Sequence, residues 1–299
     1  MGESGLGPRL SRKPDLCGPA PPFFVVNRSV PGSGDVDFLV AGQNGPVTDT
    51  GNTSQLNEAN ITMNVELSLP SAKRVLTVLL IVIAILLTFS TMGQISKYFL
   101  GHPELKGFVS SFYVDYESNV PTWYSSIALG VAAGLLALIA MAKFAQRDRF
   151  RFHWTVLGLL FLGLSLDEVS MFHEYPIDPM RRAFDFGGAF YYAWVIPGFA
   201  FVAIVGLSFT RFLWNLPSQT ARLFILAGAI FVGGAIGVEM LSGVQADRFG
   251  EENFTYAMII TLEEACEMTG VAVFVSALVG YINNTLGGLR VRIGAMQKA

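Results

Sequence analysis

Acidic side chains interrupt three otherwise apolar segments of this 299-residue chain. They occur in short strings with one histidine among them: Asp167, Glu168, His173, Glu174, Glu239, Glu263, Glu264 and Glu267. An ionised side chain at the centre of a bilayer costs roughly 2.5–3.5 kcal/mol on insertion scales. Five such carboxylates would cost on the order of 10 kcal/mol if unpaired, comparable with the stability of a whole protein. They must therefore be protonated, hydrated or neutralised by a metal ion.

Three interpretations of these residues remain open from the sequence. Carboxylates with one imidazole could bind a divalent metal, for which Fe, Mn, Zn and Ca all fit by ligand type. The acids could instead relay protons or cations in a transporter, which is a usual role of carboxylates within a membrane. In the third interpretation they only form buried hydrogen bonds that hold the helices together.

These interpretations lead to three classes of protein. Cation handling, meaning binding or transport of a divalent metal or of protons, is the first. A membrane-embedded enzyme, in which a metal held by the carboxylates activates water, is the second. A structural subunit of a larger membrane complex, or a homo-oligomer, is the third. The sequence contains no Gly-x-Ser-x-Gly, no His-Glu-x-x-His and no phosphate-binding loop that would indicate a hydrolase or an ATPase.

The segments that carry the acids belong to a chain with the composition of a membrane protein. Hydrophobic residues make up 52% of it and charged residues only 14%, against about 25% in soluble proteins. Six apolar segments are near the ~20 residues that span a bilayer: 75–95, 122–142, 154–174, 190–211, 221–242 and 256–281. Because backbone groups in lipid must be hydrogen bonded within the protein, the sequence predicts an all-α polytopic transmembrane helix bundle.

The regions outside the bundle have a different composition. Residues 1–72 are rich in Gly, Pro, Ser, Asn and Thr, which predicts a disordered or weakly ordered cytoplasmic tail. The six-helix domain then covers residues 73–284, and residues 285–299 form a short cytoplasmic C-terminal tail. The net charge of −3 and the lack of a basic cluster favour the lipid bilayer, and not nucleic acid, as the partner.

Lysine and arginine predict the orientation, because they are enriched in cytoplasmic loops. Eleven of them flank the termini and the even-numbered loops: Lys73, Arg74, Lys143, Arg147, Arg149, Arg151, Arg211, Arg222, Arg290, Arg292 and Lys298. Five lie in the other loops: Lys97, Lys106, Arg181, Arg182 and Arg248. Both termini are therefore predicted to be cytoplasmic.

With that orientation, spans 3, 5 and 6 place their acids in the outer half of the bilayer, which predicts one shared carboxylate site. Helical spacing favours five of the eight residues facing one another: Asp167, Glu174, Glu239, Glu263 and Glu267. On the same spacing, Glu168 and His173 point elsewhere and Glu264 is a secondary member. Asp115 and Glu117, just before span 2, either face solvent or lie above this site.

Two glycine pairs suggest close helix contacts. They are Gly130-x-x-x-Gly134 in span 2 and Gly233-x-x-x-Gly237 in span 5. Close packing within the bundle is the favoured reading of both pairs, and neither implies a dimer.

Several strings resemble a group of uncharacterised bacterial six-span membrane proteins. They lie within residues 110–282, at 119–126, 166–168, 173–174, 194–197, 231–235, 239–240 and 262–268. The resemblance implies a location in the bacterial inner membrane. It carries no established activity, and so it assigns no catalytic role to any residue.

Overall fold

The computed structural model describes residues 69–175, 177–184 and 186–287, together with the backbone of four short strands. Six helical spans are long and apolar enough to cross a membrane, which confirms the predicted all-α bundle. They are α1 (Ala72–Phe99), α3 (Val120–Ala145), α4 (Arg151–Ser170), α6 (Val195–Trp214), the pair α7 (Ser218–Val232) and α8 (Glu239–Phe249), and α9 (Phe254–Thr285).

Shorter elements join these spans. A π-helical turn, Gly233–Val238, connects α7 to α8, so the two helices form one span from Ser218 to Phe249. The short helices α2 (Phe108–Phe112) and α5 (Ile177–Phe184) precede α3 and α6, and 3₁₀ turns occur at Leu105–Gly107 and Gly188–Phe190. We call the end of the bundle that holds α2 and α5 the acidic end, where α1, α4 and α8 finish and α3, α6 and α9 begin.

Helix α9 is the centre of the bundle. It packs against α1, α3, α7 and α8. In its most apolar stretch 67% of the residues are buried, against 6% in α4 and 17% in α1 and in α6. The acids of α9 therefore lie where neighbouring helices can reach them.

The outer surfaces of the bundle are apolar. Leu207 on α6 is 79% exposed, and Leu159 on α4 is 63% exposed. A contiguous apolar surface of this kind is costly in water but matches lipid chains. The exposed faces of α1, α4 and α6 are those of a multi-pass membrane protein.

Two glycines bring α7 and α9 into backbone contact. A Cβ atom added at Gly270 would lie 2.8 Å from the backbone nitrogen of Phe231, and one at Gly234 would lie 2.9 Å from the carbonyl oxygen of Glu263. A Cβ atom added at Gly233 or at Gly237 would have no neighbouring atom within 4 Å. The predicted contact through Gly233 and Gly237 is thus wrong, because the π turn rotates Gly234 toward α9 instead.

Four strands lie outside the helical region and form one sheet in the order β1-β2-β4-β3. They are β1 (Val25–Val26), β2 (Asp37–Val40), β3 (Thr62–Leu67) and β4 (Leu289–Gly294). Strand β4 pairs in parallel with β2 and antiparallel with β3. Most of the predicted disordered tail lies outside the described residues, so that prediction is left as it stands.

Candidate functional site

The end of α4 differs from the predicted span 154–174. Helix α4 stops at Ser170, because Met171 adopts a left-handed conformation with φ of 53° and its N–H donates to the carbonyl of Asp167. The chain then turns back. His173 and Glu174 are therefore not helical, and the prediction that Asp167 and Glu174 share a helix face is wrong.

This turn pairs His173 with Asp167. The Nδ1–H of His173 donates to Oδ2 of Asp167 at 2.8 Å, and its backbone N–H donates to Oδ1 at 3.0 Å. Burial alone would lower the pKa of His173, but the hydrogen bond and negative charge of Asp167 raise it to about 9. The prediction that His173 points away from the other site residues is wrong, since the turn folds it back onto Asp167.

We expect Asp167→Asn to remove a pH-dependent part of the stability. Below its ordinary pKa of 6.5, His173 is charged in both the folded and the unfolded chain, and the His173–Asp167 pair then contributes its full stabilisation of the folded state. This stabilisation is lost as the pH rises through about 9, where His173 loses its proton in the folded state. Because the His173 side chain is 34% exposed, we expect a loss of only about 1 kcal/mol at pH 6 after solvent screening.

The measurement is thermal unfolding in detergent at pH 6 and pH 10. The wild type should exceed Asp167→Asn at pH 6, and the difference should shrink at pH 10. Glu104→Gln is the matched control, because it neutralises an exposed acid in the loop after α1, away from the pair. An equal difference at both pH values would contradict the assignment.

A second group of contacts surrounds Glu239. The indole Nε1–H of Trp194 donates to Oε1 of Glu239 at 3.0 Å, and the Trp194 ring meets the His173 ring edge to face at 5.2 Å between centroids. The side chains of Glu239 and Glu263 lie within hydrogen-bonding reach of each other. Ser242 Oγ lies 3.4 Å from Oε2 of Glu263 and donates to the backbone carbonyl of Glu239 at 2.9 Å.

The π turn is what directs Glu239 toward α9. Each residue inserted into an α-helix rotates everything after it by about 100°, because the helix has 3.6 residues per turn. Such π turns are frequent at functional sites. Helix α8 continues from Glu239 to Phe249. At a rise of 1.5 Å per residue, Glu239 therefore lies about 15 Å from the C-terminal end of this span. The prediction that Glu239 is close to the end of its span is therefore wrong.

Glu168 of α4 meets Glu267 of α9 beside these contacts. Their side chains line one enclosed cavity of about 10 Å³, together with Tyr124 and Ser125 of α3. Glu168 also hydrogen bonds with Ser125. The prediction that Glu168 points away from the other acids is thus wrong, because α4 presents it directly to α9.

Two reciprocal hydrogen bonds fix α3 against α4 beside this cavity. Ser126 Oγ donates to the carbonyl of Ser165 at 2.9 Å, and Ser165 Oγ donates to the carbonyl of Ser126 at 2.8 Å. A Cβ atom added at Gly130 would lie 3.4 Å from Ser165 Oγ. The close contact predicted at Gly130 is present, while Gly134 has open space.

An open pocket of about 960 Å³ lies at the acidic end, above these residues. Asp115, Glu117, Trp123 and Val169 line it. Burial raises the pKa of Asp115 to about 6, and burial together with the charge of Glu174 raises the pKa of Glu117 to about 7.

Electrostatic neighbours connect the pocket to the interior. Glu264 interacts with Glu267, Glu168 and Glu117, and Glu267 interacts with Glu168 and Glu239. The ion pairs of the described residues join Lys97 to Glu252, Lys143 to Asp148 and His173 to Asp167. None of these three pairs includes a glutamate of α4, α8 or α9, and the cation that acts electrostatically on Glu168 and Glu267 is His173.

No metal centre is formed by the side chains that the structure describes. Among them, no three His, Cys, Asp or Glu side chains are arranged so that they could hold a metal ion. The acids instead form two neighbouring groups of contacts along α9, where Glu263 and Glu267, four residues apart, share a face. Glu263 faces Glu239, whereas Glu264 and Glu267 face Glu168.

Four residues at these contacts are not predicted as site residues from the sequence: Tyr124, Ser125, Trp194 and Ser242. Each is polar or amphipathic within an apolar segment, and that alone does not separate them from ordinary packing residues. Trp194 and Ser242 are recognisable only once the π turn has placed Glu239 beside both of them.

The fold and these contacts define a polytopic helical membrane protein with a network of carboxyl groups around its central helix. The chain belongs to a family described as a domain of unknown function, DUF8692, whose model matches residues 75–281. The match covers the helical region and excludes the N-terminal tail. Comparison with the curated proteins and with the solved structures found no match.

Proposed function

We propose that this membrane protein binds protons from the acidic end and passes them between carboxyl groups inside the bundle. The observation that carries the proposal is the set of embedded glutamates on α4, α8 and α9 that interact with one another and belong to none of the pairs Lys97–Glu252, Lys143–Asp148 and His173–Asp167. In a low-dielectric interior such acids need protons to offset their mutual repulsion.

The order of the groups supports a route. The pocket at the acidic end contains Glu117, whose pKa of about 7 lets it exchange protons near neutral pH. Beyond it lie Glu168 and Glu267, which share a cavity. Glu267 in turn interacts with Glu239, which is beside Glu263. Each neighbour can accept a proton that the previous group releases.

Proton uptake into vesicles tests the proposal. The purified protein is reconstituted into liposomes that contain a pH-sensitive dye, and a potassium gradient with valinomycin supplies an inward driving voltage. We expect the internal pH to fall faster than in protein-free vesicles treated identically. Equal rates in the two preparations would remove the proposal.

Binding of a divalent cation such as Fe, Mn, Zn or Ca is a second candidate, favoured by the Asp167–His173 pair. A carboxylate that holds one ring nitrogen of a histidine orients the ring as it does in many metal sites. Mn²⁺ and Zn²⁺ titrated into the purified protein, with Asp167→Asn for comparison, measure this directly. Such a site could belong to a transporter of the metal ion or to a metal-dependent enzyme embedded in the membrane. A structural subunit of a membrane complex would require neither a metal ion nor protons.

We also propose that the acidic end faces the periplasm of a bacterial inner membrane, with both termini cytoplasmic. The distribution of lysine and arginine supports this orientation. A cysteine at Arg147, in the loop between α3 and α4, should react with a membrane-impermeant thiol reagent only after the cells are opened. The control is a cysteine at Glu104 near the acidic end, which should react in intact cells. Reaction of the Arg147 variant in intact cells would reverse the orientation.

A further inference from the structure

The cavity between α3, α4 and α9 is small, and its mostly apolar walls include a few polar side chains. Its volume of about 10 Å³ is close to the minimum that holds one water molecule. Two carboxyl groups and two hydroxyl-bearing side chains line it: Glu168, Glu267, Tyr124 and Ser125. A buried water is stable where two to four polar partners surround it, and these walls provide them.

The hydroxyl of Tyr124 is the second, independent observation. It is fully buried and has no hydrogen-bond partner among the described residues. A buried hydroxyl without a partner loses its hydration free energy, at a cost of roughly 1–3 kcal/mol. Unsatisfied groups of this kind in folded proteins commonly bind ordered water.

We infer that one water molecule occupies this cavity, held by the Tyr124 hydroxyl, and links Glu168 of α4 to Glu267 of α9. The role of this water in proton transfer rests on the proposed function. In the step itself, the O–H bond of a protonated Glu168 breaks as its proton joins the water oxygen. A different O–H bond of that water breaks as its proton joins the Glu267 carboxylate, so the water is regenerated and charge moves from one helix to the other.

Tyr124 is then a positioning residue, because it orients the water without exchanging the proton itself. Its neighbours support this geometry. The reciprocal bonds of Ser126 and Ser165 lock α3 to α4, and the close approach at Gly270 holds α9 against α7 one turn beyond Glu267. The walls of the cavity are thus held rigidly, as transfer through a single water requires.

Two variants test the inference in the vesicle assay. Tyr124→Phe removes only the hydroxyl and should slow proton uptake about tenfold, with a larger rate difference between H₂O and D₂O. Ala128→Val adds two methyl groups to a buried residue that lines the cavity, and it should slow uptake at least as much. Tyr175→Phe, at a residue that is 68% exposed, is the control and should match the wild type.

A density map of the protein in lipid nanodiscs, at a resolution that shows ordered water, separates this inference from the proposed function. A peak within hydrogen-bonding distance of Glu168, Glu267 and Tyr124 supports the water site even if the wild type moves no protons. A map without that peak overturns the site. Uptake within twofold of the wild type in both Tyr124→Phe and Ala128→Val overturns the role of the water in transfer.

Discussion

Glu267→Gln should slow proton uptake into vesicles by about a hundredfold while leaving the fold intact. Glutamine has nearly the same volume as glutamate and retains hydrogen-bonding capacity, but it cannot take up and release a proton near neutral pH. A positioned acid–base group contributes on the order of 10²–10⁴ to proton-transfer rates, and the lower value suits a relay with neighbouring acids.

The position of Glu267 explains why its effect should be the largest. It lines the cavity shared with Glu168 and also interacts with Glu239, so it connects the cavity with the Glu239–Glu263 contact. Removing its proton site interrupts the route that runs through the cavity from Glu168 to Glu239. Glu264→Gln lies nearer the pocket and should have a smaller effect.

The control for this prediction is Glu104→Gln, which neutralises an exposed acid in the loop after α1. This variant should take up protons into vesicles at the wild-type rate. Thermal unfolding in detergent must show that Glu267→Gln is folded, and it should be at least as stable as the wild type because one buried acid is removed. Uptake by a folded Glu267→Gln protein at the wild-type rate would refute the relay.

The second large effect is expected from Gly270→Ala. The added Cβ would lie 2.8 Å from the backbone nitrogen and Cβ of Phe231 and 2.9 Å from the carbonyl oxygen of Ala227. Backbone atoms cannot rotate away as a side chain can, so α7 and α9 must separate. Overpacking of this kind costs about 1–3 kcal/mol, and the separation would also widen the cavity beside Glu267.

The matched control is Gly228→Ala on α7, where an added Cβ has open space. Alanine is the better helix former by about 1 kcal/mol, so this variant should be neutral or slightly more stable. The apparent midpoint of thermal unfolding in detergent measures both. Equal midpoints for Gly270→Ala and the wild type would show that the helices do not rely on this contact.

Much of the helical architecture could be predicted because lipid restricts the choices. The apolar segments need helices to satisfy their backbone groups, and the structure has six spans at nearly the predicted positions. Asn119 and Pro121 mark the start of α3, where the side chain of Asn119 accepts from the backbone N–H of Thr122. These features depend on residues close in sequence, which is why local patterns reveal them.

The errors at the site have a common physical origin. The predicted faces of spans 3 and 5 assume uniform helices, with a fixed rotation of 100° per residue. Met171 ends α4 in a left-handed conformation, and the turn after it brings His173 onto Asp167. The π turn at Gly233–Val238 changes the rotation of Glu239. One unexpected turn is enough to redirect every residue that follows it.

The sequence by itself determined that acids lie inside a membrane-spanning helix bundle, because charge and apolar length are properties of the chain alone. Which acids meet was decided only by the tertiary structure. Gly234 and Gly270 let α7 and α9 approach closely, and α9 then carries both the Glu239–Glu263 contact and the Glu168–Glu267 cavity. The physical reason is that helix packing depends on contacts between residues distant in sequence, and a helical repeat does not encode them.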